Sequence, residues 1–131
     1  MANSNEMLAS TAHWTAAVRA LESARPDRLF YDPWAEALAG ETGQVWMEQR
    51  TPESVIPIIL RTRFFDDFLE RTIHQASLQQ VVLVGAGLDT RAFRLKWPPG
   101  TQLFELDQPG LLSDKDQVLL AAGAQPACQR Q

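Results

Sequence analysis

The sequence predicts an α/β fold in which helices precede the first two units of a parallel β-sheet. Two short apolar segments, "VVLVG" at 81–85 and "TQLFELD" at 101–107, have the length and composition of strands. The stretch "TRAFRL" between them is predicted to be a helix, which "PPG" ends. A strand, a helix and a second strand in this order are typical of a doubly wound sheet, so we expect the strands to be parallel and the first to be fully buried.

Helical periodicity dominates the residues before the first strand. An apolar stripe at helical spacing predicts a helix over about residues 5–22 with this stripe in the core. The stripe consists of Met7, Trp14, Val18 and Leu21. Asp32 and Pro33 are typical of a helix start and Gly40 of a helix end, which predicts a short helix over 33–39.

The longest predicted helix begins at Thr51 and Pro52, although Pro57 leaves its true start open. Its apolar residues recur at steps of four, as Ile56, Leu60, Phe64 and Phe68. A last helix is predicted from "GLLSDKDQVLLAAG", after the second strand. The polar ending "AQPACQRQ" has no strand pattern, so the predicted number of strands is two.

Composition narrows the classes of protein and partner. The 131 residues suffice for one domain, and the net charge of −4 with dispersed basic residues predicts no nucleic-acid partner. No apolar run has the roughly 18–20 residues of a membrane helix, and "MANSNEMLAS" is unlike a signal peptide. The single cysteine, Cys128, is compatible with a reducing compartment, so we expect a cytoplasmic protein.

The domain organisation follows from the same count of strands. A helical region over 1–78 is followed by two β/α units over 79–131. Two parallel strands are too few for a complete sheet of this class, since such sheets have several strands covered on both faces. We therefore expect the chain to be the N-terminal portion of a single domain whose C-terminal half is absent.

The turn after the first strand predicts a nucleoside ligand. Gly85 and Gly87 begin a G-x-G-x-x-G pattern, but Thr90 occupies the third glycine position. Asp107 follows Gly87 by twenty residues, at the end of the second strand, where an acid can accept hydrogen bonds from ribose hydroxyls. S-adenosylmethionine has a ribose but no phosphate, so it does not require the third glycine. Two alternatives are a NAD or FAD dinucleotide-binding domain of an oxidoreductase and a tight turn without any ligand.

Four blocks in order resemble the leucine carboxyl methyltransferase-like family, and most closely its bacterial branch of S-adenosylmethionine-dependent O-methyltransferases. The blocks are "RALESARPDRLFYDPWAEALAG", "RTRFFDDFLE", "LVGAGLDTRAFRL" and "FELDQPGLLSDK". The resemblance covers about residues 10–130. It implies the N-terminal part of a class I, Rossmann-like methyltransferase with a seven-stranded sheet and about twice this length.

The resemblance also implies site residues. It places Gly85 and Gly87 against the backbone of S-adenosyl-L-methionine, Asp107 on the ribose hydroxyls and Arg61 on the methionyl carboxylate. A guanidinium offers a planar fork of donors that suits a carboxylate.

Further positions remain open between two interpretations. A second basic contact to the cofactor is either Arg19 or Arg25. Glu105 is a candidate to share or replace the ribose role, because alternation puts it on the same strand face as Asp107. Asp89 and Thr90 either cap the next helix or contact ligand.

Other charged and polar residues have simpler interpretations. Arg63 is expected to pair with Asp67 four residues later on the helix surface. His13 and His74 have no neighbours at metal-ligand spacing, so no metal site is predicted.

The function expected from these residues is O-methyl transfer to a small molecule or a carboxylate. The protein would position the methyl donor and acceptor and exclude water. No catalytic base is assigned, and in the resembling family the segments that contact the adenine and the substrate lie beyond residue 131. The alternative is a truncated, non-catalytic fragment that lacks the substrate site.

Overall fold

A computed structural model of the chain describes residues 4–131, in which helices and strands alternate after a helical N-terminal region. The elements are α1 (Ser4–Ser23), α2 (Ala35–Glu48), α3 (Pro52–Ala76), β1 (Gln80–Val84), α4 (Arg91–Arg94), β2 (Gln102–Leu106), α5 (Pro109–Ala121) and β3 (Gln129–Arg130). The order of helices before parallel strands agrees with the predicted fold class.

The sheet has three parallel strands in the order β1-β2-β3, so the predicted number of two was wrong. Val82 lies opposite Phe104, and Gln102 lies opposite Gln129. The backbone N–H of Gln129 donates to the Thr101 carbonyl at 3.0 Å, and that of Gln131 donates to the Leu103 carbonyl at 2.9 Å. A polar strand of two residues carries no hydrophobic alternation, so only its backbone pairing reveals it.

The helix α1 is confirmed, but its predicted core stripe is buried only in part, at Val18 and partly at Trp14. Met7 and Leu21 are about half exposed, whereas Ala16, Ala17 and Val18 are at most 3% exposed. α1 packs closely against α2, and small side chains permit that approach. The buried face of α1 is therefore centred on Ala16, Ala17 and Val18, and the two ends of the predicted stripe lie outside it.

The end of α2 and the start of α3 can be compared with the boundaries that the sequence predicted. Gly40 adopts a φ of +53°, which breaks the helical path, but the helix resumes and runs to Glu48. The predicted end at Gly40 was therefore a kink. α3 begins at Pro52, with Thr51 in an extended conformation before it, and it contains Pro57. The true start is thus the earlier of the two prolines.

One face of the sheet and one stripe of α3 are open, so the prediction that β1 is fully buried was wrong. Val82 is 54% exposed and Val84 is 82% exposed, because no element among residues 4–131 covers that face. Large apolar side chains of α3 are also exposed. They are Ile56, Leu60, Phe64, Phe65 and Phe68.

The core lies where α1, α2 and α5 meet the turn after β1. Its buried members include Ala17, Leu38, Leu88 and Leu119. None of the helices within residues 4–131 has the length and apolar character needed to cross a membrane. The cytoplasmic location stays a prediction.

Candidate functional site

A cleft of about 530 Å³ opens at the carboxyl ends of β1 and β2. Its walls come from α1 and α3, and its floor is the turn 85–89 that follows β1, with Asp107 from the end of β2. The carboxyl ends of parallel strands are the usual ligand-binding edge of an open α/β sheet. The cleft therefore lies where the fold class predicts a site.

The glycine turn is tied to the end of β2. The backbone N–H groups of Gly85 and Ala86 both donate to the Leu106 carbonyl, at 2.8 and 3.1 Å. Gly85 has a φ of +66° and Gly87 a φ of +49°, a left-handed conformation that favours glycine. The requirement at Gly85 is conformational, since a Cβ there would meet no atom within 4 Å.

The carboxylate of Asp107 closes this turn and lines the cleft. Its Oδ2 accepts a hydrogen bond from the Gly87 N–H at 2.7 Å, and its Oδ1 accepts one from the Gln108 N–H at 2.7 Å. An ionised carboxylate has about four acceptor positions, so each oxygen retains capacity for one further donor. Asp107 is thus both a structural bridge and an available acceptor.

Arg61 supplies a free cationic group to the same cleft. Its side chain lines the cleft from α3, and the structure shows no hydrogen bond or ion pair between it and any residue that it describes. Arg63, by contrast, donates from Nε to Asp67 Oδ2 at 2.8 Å and from Nη1 to the Leu29 carbonyl at 2.6 Å. The predicted surface pair of Arg63 is confirmed.

The structure separates the two arginines that the sequence left open. Arg19 lines the cleft, and it donates from Nε to Asp32 at 2.8 Å and from Nη2 to the Leu88 carbonyl at 2.6 Å. Arg25 lies beyond the end of α1, does not line the cleft and pairs with Asp27 at 2.9 Å. Helical spacing could have indicated this difference, because Arg19 follows the cleft residue Thr15 by one turn and so lies on the same face of α1.

Glu105 does not reach the cleft, although alternation put it on the same strand face as Asp107. Its Oε2 accepts hydrogen bonds from Lys115 Nζ at 2.9 Å and from Arg130 Nη2 at 2.7 Å. Both Glu105 and Lys115 are almost completely buried. Burial lowers the pKa of Lys115, and the nearby Glu105 carboxylate opposes that shift. Alternation failed here because β2 ends at Leu106, so Asp107 is no longer on the strand.

The residues before and within α4 have roles that the sequence left undecided. Asp89 accepts a hydrogen bond from the Arg91 N–H at 2.8 Å, which supports the first turn of α4, and it also lines the cleft. Thr90 instead donates to Asp32 Oδ2 at 2.6 Å. Burial alone would raise the pKa of Asp89, but the guanidinium groups of Arg91 and Arg19 outweigh it and lower that pKa.

A network of buried charges behind the cleft escaped the sequence analysis. Asp66 on α3 accepts hydrogen bonds from both arginines of α4, Arg91 and Arg94. A signal was present in the sequence: Thr62, Asp66 and Ile73 recur at helical spacing and are the buried residues of α3. The more conspicuous apolar stripe on the other side of the helix obscured it.

Metal-binding side chains are not grouped in this part of the chain. Within residues 4–131, no cluster of three His, Cys, Asp or Glu side chains could hold a metal ion. His13 uses its Nδ1 in a contact of 2.8 Å with the Leu38 carbonyl, so it has a packing role between α1 and α2.

The sequence of the chain matches a known protein family and several named bacterial proteins. The sequence profile described as leucine carboxyl methyltransferase matches residues 12–131. The chain is 45% identical to a protein of Parafrankia, 43% to one of Streptomyces coelicolor and 42% to one of Mycolicibacterium paratuberculosis. Each of these relatives is named as an inferred S-adenosyl-L-methionine-dependent methyltransferase.

The alignments cover the two partners unequally. In each, 92% of this chain is matched, but only 42% to 46% of the relative. The chain thus spans less than half the length of these curated relatives. Its helices followed by parallel strands have the Rossmann-like α/β arrangement of the N-terminal part of a class I methyltransferase. The chain belongs to the leucine carboxyl methyltransferase family, as its four sequence blocks predicted.

Proposed function

We propose that this chain is the cofactor-binding, N-terminal portion of an S-adenosyl-L-methionine-dependent methyltransferase. One observation carries the proposal: the guanidinium of Arg61, unpaired among residues 4–131, and the carboxylate of Asp107 line one cleft together with the glycine turn. S-adenosylmethionine presents complementary groups, a carboxylate at its methionyl end and two hydroxyls on its ribose. The names of the relatives support the same cofactor.

The residues of the cleft have distinct proposed roles. Arg61 binds the methionyl carboxylate, because a planar guanidinium pairs with a carboxylate through two parallel hydrogen bonds. Asp107 accepts hydrogen bonds from the ribose hydroxyls with the acceptor positions that Gly87 and Gln108 leave open. Gly85 and Gly87 allow the cofactor to approach the backbone closely.

The second cationic contact is assigned to Arg19. It lines the cleft, and its bonds to Asp32 and to the Leu88 carbonyl use Nε and Nη2, which leaves Nη1 without a partner among residues 4–131. Arg25 and Glu105, two candidates from the sequence, are not part of the proposed site because their charged groups pair with other residues away from the cleft.

The proposed reaction is O-methyl transfer to a small molecule or a carboxylate. When bound, S-adenosylmethionine supplies an activated methyl group on sulfur. The described residues orient that donor by holding its methionyl carboxylate and its ribose, which favours an in-line attack. No side chain of the cleft is assigned as a general base.

We also propose that residues 1–131 are the N-terminal portion of one methyltransferase domain. Two observations support this: the open face at Val82 and Val84, and the greater length of the relatives. A parallel sheet is normally covered on both faces.

A second candidate function is therefore a fragment that binds the cofactor but lacks the substrate site and has no catalytic activity. The exposed face of β1 favours it for the isolated chain.

Calorimetric titration tests the choice of cofactor. The chain should bind S-adenosylmethionine or S-adenosylhomocysteine and should not respond to NAD. Asp107→Ala and Arg61→Ala should each weaken binding by roughly 2–4 kcal/mol, since the ribose hydroxyls lose their acceptor in the first variant and the methionyl carboxylate loses its cationic partner in the second. Arg61→Lys should restore only part of the affinity, because an ammonium lacks the planar fork.

Arg63→Ala is the matched control, since Arg63 lies two residues from Arg61 and pairs on the surface. It should leave binding nearly unchanged. Tight NAD binding without any response to S-adenosylhomocysteine would contradict the proposed function.

A further inference from the structure

The middle of α3, which carries Arg61, is attached to the rest of the chain mainly by charged groups. The residues of α3 that are buried are Thr62, Asp66 and Ile73. Five of its large apolar side chains between 56 and 68 are 41% to 60% exposed, and Ile58 and Ile59 are half-buried. Apolar burial therefore does less than the buried charged groups to fix the position of Arg61 relative to the glycine turn.

Asp66 provides the buried part of this attachment, and Arg63 adds an exposed hydrogen bond to the Leu29 carbonyl at 2.6 Å. Its Oδ1 accepts hydrogen bonds from Arg91 Nε at 2.8 Å and Arg94 Nη2 at 2.9 Å, and its Oδ2 accepts one from Arg94 Nη1 at 2.6 Å. Arg91 Nη2 also donates to the Thr62 carbonyl at 3.3 Å, one residue after Arg61. Charge-assisted hydrogen bonds of this kind are about twice as strong as neutral ones.

The two arginines connect α3 to the floor of the cleft. Both lie on α4, immediately after the glycine turn, and Arg91 also pairs with Asp89. Arg94 Nε donates to Thr90 Oγ1 at 3.1 Å, and the Thr90 hydroxyl in turn donates to Asp32, the partner of Arg19. One continuous network therefore runs from α3 through α4 to α1, and two of its arginines, Arg19 and Arg91, line the cleft.

The charges in this network are balanced and mostly buried. Its three arginines face three aspartates, namely Arg19, Arg91 and Arg94 with Asp32, Asp66 and Asp89. Burial opposes the charge of Arg94, but the hydrogen bonds and charge of Asp66 outweigh it and raise the pKa of Arg94. Loss of Asp66 would leave two buried guanidinium groups without their shared partner, which is costly in a poorly solvated site.

We propose that Asp66 is a positioning residue for the cofactor: through Arg91 and Arg94 it fixes α3, and thus Arg61, at the distance from the glycine turn that the methionyl part of the ligand requires. This inference rests on the proposed function. Asp66 does not line the cleft itself. Its effect should therefore fall on the part of the ligand that Arg61 holds and spare the nucleoside.

Two ligands separate that effect from a general loss of structure. S-adenosylhomocysteine carries the carboxylate, and 5′-methylthioadenosine keeps the nucleoside but lacks the amino-acid end. Asp66→Asn, which preserves shape and removes the charge, should raise the Kd for S-adenosylhomocysteine about tenfold. The Kd for 5′-methylthioadenosine should stay within about twofold, which also reports that the cleft is folded.

Asp67→Asn is the control. Asp67 is the next residue on α3 and holds only the exposed pair with Arg63. It should change neither Kd. In an Arg61→Ala background, Asp66→Asn should add little to the loss of S-adenosylhomocysteine affinity, because residues that act through one contact are not additive.

Hydrogen exchange gives a readout without ligand. In Asp66→Asn the backbone amides around residues 58–66 should exchange faster than in the wild type and in Asp67→Asn, since this segment loses its attachment. Unchanged exchange in that segment, or equal weakening of both ligands, would overturn the proposal. If the wild type bound neither ligand, the proposed function would fail, and the exchange comparison alone would decide the role of Asp66.

Discussion

Gly43 lies where α2 crosses α1, and its replacement by alanine should destabilise the chain. A Cβ at this position would lie 2.6 Å from the backbone oxygen of His13 and 2.9 Å from the Cβ of Ala39. Ordinary van der Waals contact of a Cβ begins at 3.4 Å, so the oxygen and the new methyl group must separate by about 0.8 Å. The backbone atom of His13 cannot rotate away as a long side chain would, so the helices themselves must move.

The expected free-energy change combines two opposing effects. Overpacking of this kind costs typically about 1–3 kcal/mol, and the better helix propensity of alanine offsets up to about 1 kcal/mol of it. Gly43→Ala should therefore lower the free energy of unfolding by about 1–2 kcal/mol. Gly110→Ala is the matched control, since Gly110 lies in α5 and a Cβ there would meet nothing within 4 Å. That variant should be as stable as the wild type or up to about 1 kcal/mol more stable.

Urea unfolding followed by far-ultraviolet circular dichroism measures both changes. The midpoint of Gly43→Ala should fall and that of Gly110→Ala should stay or rise, at an unchanged slope. The contact also borders the cleft, because Ala12, next to His13, lines it. If Gly43→Ala unfolded at the same or a higher urea concentration than Gly110→Ala, the close crossing of α1 and α2 would be refuted.

Two further predictions concern pH and association. The pKa of Asp89 is lowered below its ordinary value of 3.8, so the unfolded chain binds its proton first and the free energy of unfolding should fall as the pH drops through that range. Asp89→Asn should flatten this acid dependence in urea titrations from about pH 5 down to about pH 2.5, and an equally steep profile would contradict the assignment. The exposed edge and open face of β1 should cause self-association. Val84→Lys should reduce this self-association, as measured by sedimentation velocity. A wild-type chain that sediments as a single monomeric species at high concentration would count against this expectation.

Local patterns in the sequence were sufficient for most of the fold and part of the site. The helices, the strands β1 and β2, the glycine turn and the Arg63–Asp67 pair all depend on residues within a few positions of one another. Periodicity, turn residues and i,i+4 pairing report such contacts directly. Spacing from Gly87 predicted Asp107, and the family blocks added Arg61; both lie in the cleft.

Contacts between residues that are far apart in the sequence could not be predicted from those local patterns. Asp66 meets Arg91 across 25 positions, and Arg19 meets the Leu88 carbonyl across 69. The burial of Glu105 depends on Lys115 from α5 and on Arg130 from a strand of two residues that has no hydrophobic signal.

The family, the order of the elements and the residue types near a nucleoside-binding turn could all be predicted from the sequence. The packing of the elements was needed to learn which arginine has no partner among residues 4–131, which carboxylate faces the cleft and which is buried in a charge network. The physical reason is that periodicity specifies the face of an element on which a side chain lies. Its electrostatic partner is specified only when elements far apart in the sequence pack together.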